Sequence, residues 1–260
     1  MTRLPETPSA ARIYSYTLGG SHYFPVDQAA AEYMFSLVPS TPKWVRMLRD
    51  FLQRAARQLW AAGYTHFVDL ASGLPTEDHI HHVLPEARII YSDIDPLTCA
   101  EGQEIVQALP NVLYLCHDVR QVKSLLSSPE VREFLGGERQ LAFGLNGITV
   151  FLSPEEISKL FRELYAWAAH GSRIYITYET KAPHLMTPRM EEFFDMFRRA
   201  GAPFWLYTLS ECLELSAPWR LPPQGLVPLA DFLGMPAGYI TEEDHEGVGL
   251  EFYAAILEKP

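Results

Sequence analysis

Cysteine is scarce in this chain. The three present, Cys99, Cys116 and Cys212, are widely spaced and form no CxxC pair. That spacing argues against a disulfide framework or a zinc module, and it fits a reducing cytoplasm. Long hydrophobic runs are missing too: none approaches the ~20 apolar residues that span a bilayer. The opening MTRLPETPSAAR has no apolar core, so neither a secretion signal nor a membrane role is expected. Positive charge is in deficit, with 21 Lys and Arg against 32 Asp and Glu, a net charge of −11. Wrapping nucleic acid is therefore not expected as a main role, because phosphate binding needs a basic stripe. The one basic cluster, Lys43, Arg46, Arg49, Arg54 and Arg57, reads as the solvated face of a single helix.

What remains is globular: 260 residues, 48% hydrophobic and 20% charged. Up to about Pro42 no strand-like run occurs. Asp27 is expected to cap a helix starting near Gln28 and stopped by Pro39 and Pro42. KWVRMLRDFLQRAARQLWAAG repeats its apolar residues at three and four and ends at Gly63, a second helix. The rhythm then changes. THFVDLA, ARIIYSDID, NVLYLCHD, part of RQLAFGLNGITVFL, SRIYITYET and LEFYAAILE read as strands. Between them, EDHIHHVLPE, PLTCAEGQEIVQAL, VRQVKSLLSSPEVREFLGG and SPEEISKLFRELYAWAAHG read as helices, the last with Ser153, Pro154 and Glu156 forming a capping box. TPRMEEFFDMFRRAG repeats the signature, with Thr187 as cap and Gly201 as stop. Strands alternating with crossover helices predict an α/β, doubly wound, mostly parallel sheet.

Glycine is short where a nucleotide-binding loop would want it. FVDLASGLPTE carries only Gly73 where a pyrophosphate loop has GxGxxG, and it puts Glu77 where that acid would oppose a phosphate. Three strands end in an acid: Asp69, Asp93 and Asp118. Asp93 lies about 20 positions after Gly73, where an acid reaches ribose hydroxyls in a βαβ unit. Asp95 is the alternative for that contact. A cofactor with a ribose, an adenine and a cationic end but no phosphate fits this edge, which describes S-adenosylmethionine. Gly73 would allow close approach of its methionine part, Asp69 would order the loop and favour the cation, and Asp118 would accept from the adenine amino group.

Three stretches carry a resemblance. ARIYSYTLGG, RDFLQRAARQLWAAGYTHFVDLASGLPT and ARIIYSDIDP are similar to a bacterial family of S-adenosylmethionine methyltransferases abundant in actinobacteria and long catalogued as a domain of unknown function. The likeness implies a seven-stranded Rossmann-like sheet with its last strand inserted antiparallel. It divides the chain into an N-terminal helical lid or cap, residues 1–62, and a cofactor-binding core, residues 63–260. The departures are Ser15 and Leu48, where Asp and Asn are usual, Ser21 to Tyr23, and Thr149 to Phe151.

The expected cofactor site comprises Asp69, Ala71, Ser72, Gly73, Asp93, Ile94, Asp95, Asp118, Val119 and Asn146, with Gly19 and Gly20 on a covering segment. Tyr14, Tyr16 and Tyr23 are candidates for the acceptor pocket, and His22 for a general base. Glu179 and Tyr178 are weaker candidates. HIHH, His79 to His82, invites a metal reading, but no second ligand cluster accompanies it, so no metal is expected. The reading is a cytoplasmic bacterial methyltransferase with a small-molecule acceptor. Two alternatives are a non-catalytic binder of the cofactor or its demethylated product, and a nucleotide-dependent oxidoreductase. Neither the acceptor nor an oligomeric state is legible.

Overall fold

A computed structural model describes residues 5–76, 78–181, 188–199, 204–244 and 250–260. Three helices come first: α1 (Ala10–Thr17), α2 (Pro25–Leu37) and α3 (Thr41–Ala61). Then β1 (His66–Leu70), α4 (Ile80–Val83), β2 (Arg88–Asp93), α5 (Pro96–Val106) and β3 (Val112–Cys116) form one wound half. The chain continues through α6 (Val122–Ser127), α7 (Pro129–Leu135), β4 (Ala142–Leu145), α8 (Pro154–Trp167) and β5 (Arg173–Lys181). It closes with α9 (Pro188–Arg199), α10 (Leu209–Leu215), β6 (Val227–Pro228), α11 (Leu229–Phe232) and β7 (Leu250–Glu258).

The seven strands lie in the order β3-β2-β1-β4-β5-β7-β6. β1 to β5 are parallel, and β7 runs antiparallel beside β5, pairing Tyr175 with Ile256. The winding reverses between β1 and β4, where Asp69 pairs with Gly144. Both sheet faces are covered, so the strands are apolar almost throughout. Phe67, Ile89, Ala142 and Tyr175 join the core under α1–α3, α9 and α11, while Val68, Ile90, Phe143 and Ile176 join the core under α6–α8 and α10. The alternation is the period of two that a pleat imposes.

Local chemistry sets the element ends. Ser153 and Glu156 form the expected box at the head of α8, with Pro154 in its first turn. Asp95 caps α5 through the Thr98 N–H, followed by Pro96. Several expectations are corrected. ARIYSYT, not assigned to any element, is α1, and α2 starts at Pro25, before Gln28. Asp27 does cap this helix, but from inside its first turn rather than from before it: wholly buried, its Oδ2 accepts the N–H of Phe24, the N-cap residue, at 2.8 Å. Pro42 does not stop α2 but opens α3. Residues 119–137 are not one helix, because Ser128 caps a new one and Pro129 cannot continue the old. EDHIHHVLPE yields only the single turn of α4. Glu77, Thr187 and Gly201, named in the sequence reading, lie outside the described residues. Cys99 and Cys116, read as unpaired, form a disulfide with their Cα atoms 5.3 Å apart. α5 packs along β3, which brings the two cysteines together despite a sequence separation of 17.

Candidate functional site

The carboxyl ends of β1, β2 and β3 lie side by side next to the reversal of strand order at β1 and β4, where doubly wound sheets bind ligands. The first loop turns sharply, with Ala71 at φ 52° and Gly73 at φ 66°. The second loop holds it. Ser72 N–H donates to the Ser92 carbonyl at 2.8 Å, and Gly73 N–H donates to Asp93 Oδ2 at 3.2 Å. Asp93 Oδ1 accepts the Asp95 N–H at 2.9 Å. Asp93 therefore staples the two loops, and burial raises its carboxyl above the usual range. Asp95 is more heavily engaged. Its Oδ2 accepts from Thr98 N–H, from the Thr98 hydroxyl at 2.6 Å and from Arg12 Nη1 at 2.8 Å. Burial works against the charged form of Asp118, but the Arg120 guanidinium, with Nη2 at 2.8 Å, holds its carboxyl below the ordinary value.

Behind the first loop sits a buried acid. Asp69 Oδ1 accepts the Tyr175 hydroxyl at 2.9 Å, and burial pushes the carboxyl up to about 7. Gly144 makes room for this pair, since a methyl group there would overlap Asp69 Oδ1 and the Tyr175 ring. His79 Nε2 lies 3.7 Å from Asp69 Oδ2. Its Nδ1 accepts the Ile80 N–H at 3.0 Å, so the ring proton sits on Nε2, toward the Ser72 carbonyl. Burial holds His79 neutral, and the nearby Arg49 charge adds to that.

Arg49 corrects the reading of the basic cluster as one solvated face. Arg54 and Arg57 are exposed and Lys43 and Arg46 half-buried, but Arg49 is only 4% exposed. Its guanidinium lies 5.4 Å from the centre of the Tyr14 ring, and its Nη1 is buried with no hydrogen-bond partner among the described residues.

These groups share the wall of one cavity of about 620 Å³. Of the sequence candidates, the structure brings Tyr14, Asp69, Ala71, Ser72, Gly73, Asp93, Ile94, Asp95, Asp118, Val119 and Asn146 to that wall. Asn146 bridges α3 and β5, donating to the Leu48 carbonyl at 3.1 Å and accepting the Thr177 hydroxyl at 3.2 Å. Gly19, Gly20, Tyr16, Tyr23 and His22 do not line it. Tyr16 donates to Glu32 at 2.9 Å and packs edge-on against Tyr23, while His22 Nδ1 sits 3.3 Å from Glu101 on α5. The cavity also takes in Arg49, His79 and Glu179. For Arg49 the sequence held no signal beyond its place in the family block. His79 stood in the HIHH run: it caps α4 and faces the cavity, while His82 is exposed. Among the described residues no group of three or more His, Cys, Asp or Glu is arranged to hold a metal, and no helix is long and apolar enough to cross a membrane.

The sheet order, the antiparallel β7 and the acid-lined cavity at the switch point define the class: a Rossmann-like methyltransferase fold. The profile of the S-adenosyl methyltransferase family matches residues 5–255, and the chain belongs to that family. It is an S-adenosylmethionine-dependent methyltransferase. A protein from Thermobifida fusca assigned as a methyltransferase is similar at 28% identity and TM-score 0.83, over 97% of this chain and 95% of that one. A DUF574-family protein from Streptomyces avermitilis is similar at 27% identity and TM-score 0.85, over 98% of each. Geranyl diphosphate C-methyltransferase from Streptomyces coelicolor, crystallised with S-adenosylhomocysteine, shares the fold at 15% identity and TM-score 0.56, over 98% of this chain and all of that one. No curated protein matches.

Proposed function

We propose that the chain methylates a small-molecule acceptor, with S-adenosylmethionine lying across the ends of β1, β2 and β3. The observation that carries this placement is Arg49. A buried cation with an unpartnered Nη1 on the cavity wall suits a carboxylate, and the methionine part of the cofactor has one. The rest of the wall fits the other parts. Each Asp93 oxygen accepts one backbone N–H and keeps a lone pair for a ribose hydroxyl. Ile94, 56% exposed at the cavity wall, offers an apolar face for a flat base, with Asp118 and Val119 beside it. Asp69 stands where the amino cation would favour its charged form. The cofactor supplies a methyl carbon activated by a sulfonium, so the protein's task is to align the partners and exclude water.

In the same reading residues 1–62 cap the core 63–260. α1 supports this, because Ala11 packs on Gly73 and Arg12 reaches Asp95. A bacterial cytoplasmic setting is part of the proposal: the Thermobifida and Streptomyces relatives support its bacterial half, while a reducing cytoplasm would hold Cys99 and Cys116 as adjacent thiols rather than as the disulfide. Calorimetry with S-adenosylhomocysteine tests the placement. Wild type binds, and Arg49→Met loses affinity for S-adenosylhomocysteine but not for adenosine, which has no carboxylate. Equal losses for both ligands, or none, would sink the assignment.

A further inference from the structure

Beyond the loops that would hold the cofactor, the cavity contains a second acid with nothing to do. Glu179, near the carboxyl end of β5, is 4% exposed. Its Oε2 accepts the Thr149 hydroxyl at 3.2 Å. Its Oε1 is shielded from solvent and has no hydrogen-bond partner among the described residues. Among the described residues the other groups facing it are Tyr14 from α1, Cys212 from α10 and Thr177 on its own strand, and none of these is a cation. An ionised carboxylate in such surroundings is costly unless something donates to it.

The neighbouring wall is aromatic. Phe151, Phe193, Phe197, Phe204, Phe252 and Met190 line it. Phe193 and Phe197 have ring centres 5.2 Å apart, Phe197 and Phe204 5.1 Å, and Phe151 and Phe204 5.6 Å. An aromatic chamber with one convergent polar group suits a flat apolar ligand fixed by a single hydrogen bond.

We infer that the methyl acceptor is a neutral, ring-sized apolar molecule that presents one N–H or O–H to Glu179, and that Glu179 takes this proton as the methyl group arrives. The inference rests on the cofactor placement proposed above. In the step, the acceptor nitrogen or oxygen uses a lone pair to bond the donor's methyl carbon. The donor sulfur keeps the electron pair of the broken S–C bond, and the acceptor's proton moves to Glu179 Oε1. Burial pushes Glu179 up to about 7, so near neutrality a large share is ionised and able to accept. Carboxylate and phosphate acceptors are disfavoured, because they would set a second negative charge beside Glu179, which no cation faces among the described residues.

The test uses the full chain saturated with S-adenosylhomocysteine and three probes on one ring system: naphthol, naphthylamine and naphthoate. Calorimetry is expected to show naphthol and naphthylamine binding about tenfold or more tightly than naphthoate. Glu179→Leu should erase that preference. Transfer of labelled methyl from S-adenosylmethionine to naphthol or naphthylamine is expected in wild type. It should fall roughly a hundredfold or more in Glu179→Gln, with probe binding changed less than about threefold. Melting curves check that both variants fold. Naphthoate binding as well as naphthol, no labelled product from either protic probe, or normal transfer in Glu179→Gln would each overturn the inference. Failure of S-adenosylhomocysteine itself to bind would instead bring down the cofactor placement.

Discussion

Arg12 on α1 and Asp95 at the head of α5 are joined by an ion pair of 2.8 Å across 83 positions of sequence. The same guanidinium donates through Nε to Asp27 at 2.8 Å, and Asp27 also accepts the N–H groups of Ser9 and Phe24. One buried cation thus holds the N-terminal helices to the second loop of the cavity. Removing one partner of a buried pair costs about 3–5 kcal/mol, because the other charge is stranded. Arg12→Met should therefore destabilise the fold by about that much, while Asp95→Asn should cost less because Asp95 is partly solvated. Chemical denaturation of the two variants checks the order, and equal costs would refute it.

Arg49 should behave in the opposite way. Its Nη1 has no hydrogen-bond partner among the described residues, and its charge acts through Tyr14 and the nearby Asp69, so Arg49→Met should change the stability of the unliganded fold little. Affinity for S-adenosylhomocysteine should fall about tenfold to a hundredfold, the worth of a charge-assisted hydrogen bond. Thermal melting with and without ligand separates the two effects. A large loss of stability without ligand would mean that the guanidinium is a structural group.

Among the acids, Asp93→Ala is expected to be the most damaging to S-adenosylhomocysteine affinity, by roughly tenfold to a few hundredfold. Asp118→Ala should be intermediate and Asp95→Ala the mildest. Asp93→Ala should also lower stability by about 1–3 kcal/mol, because the N–H groups of Gly73 and Asp95 lose their acceptor. Titration of the three variants gives the affinity order. Normal binding by Asp93→Ala would move the ribose contact to another residue.

Burial sets a pH dependence. Asp69 and Glu179 both sit at about 7 in the fold, well above their unfolded values near ~4. Below about pH 4 both states hold the protons and the full stability is present. As pH rises from there through about 7, the unfolded state releases its protons first and stability is lost. Glu179→Gln removes one of the two contributions. Its melting temperature should gain on wild type from about pH 4 to 7 and then run parallel above about 8. A gap that stays constant across this range would show that Glu179 titrates at its ordinary value.

Much of this molecule is visible in its sequence because local chemistry agrees with the fold. The acids ending β1 and β2, the capping box at Ser153 and the proline at the head of α5 each have a short-range cause. What escaped depends on distance. Nothing near Asp27 announces that Arg12 will neutralise it, so its capping contact is legible but its burial and its ion pair are not. Arg49 looks like its neighbours Arg46 and Arg54 until α3 is laid on the sheet. Cys99 and Cys116 meet only because α5 returns along β3. Phe204, beyond the helix of α9, joins the aromatic chamber through contacts that no periodicity encodes.

Gly144 contributes by what it does not carry. The space its missing side chain leaves is filled by the Asp69 carboxyl and the Tyr175 ring. The position of the Asp69 carboxyl thus depends on a residue inside β4 that does not itself line the cavity. Alanine there would displace both groups together, and overpacking of this kind costs about 1–3 kcal/mol. Such a chain could keep its sheet while its acid pointed elsewhere. If Asp69 serves the cofactor as proposed, a single methyl group at Gly144 should yield a folded chain with weakened S-adenosylhomocysteine binding, which melting curves and calorimetry on Gly144→Ala would check.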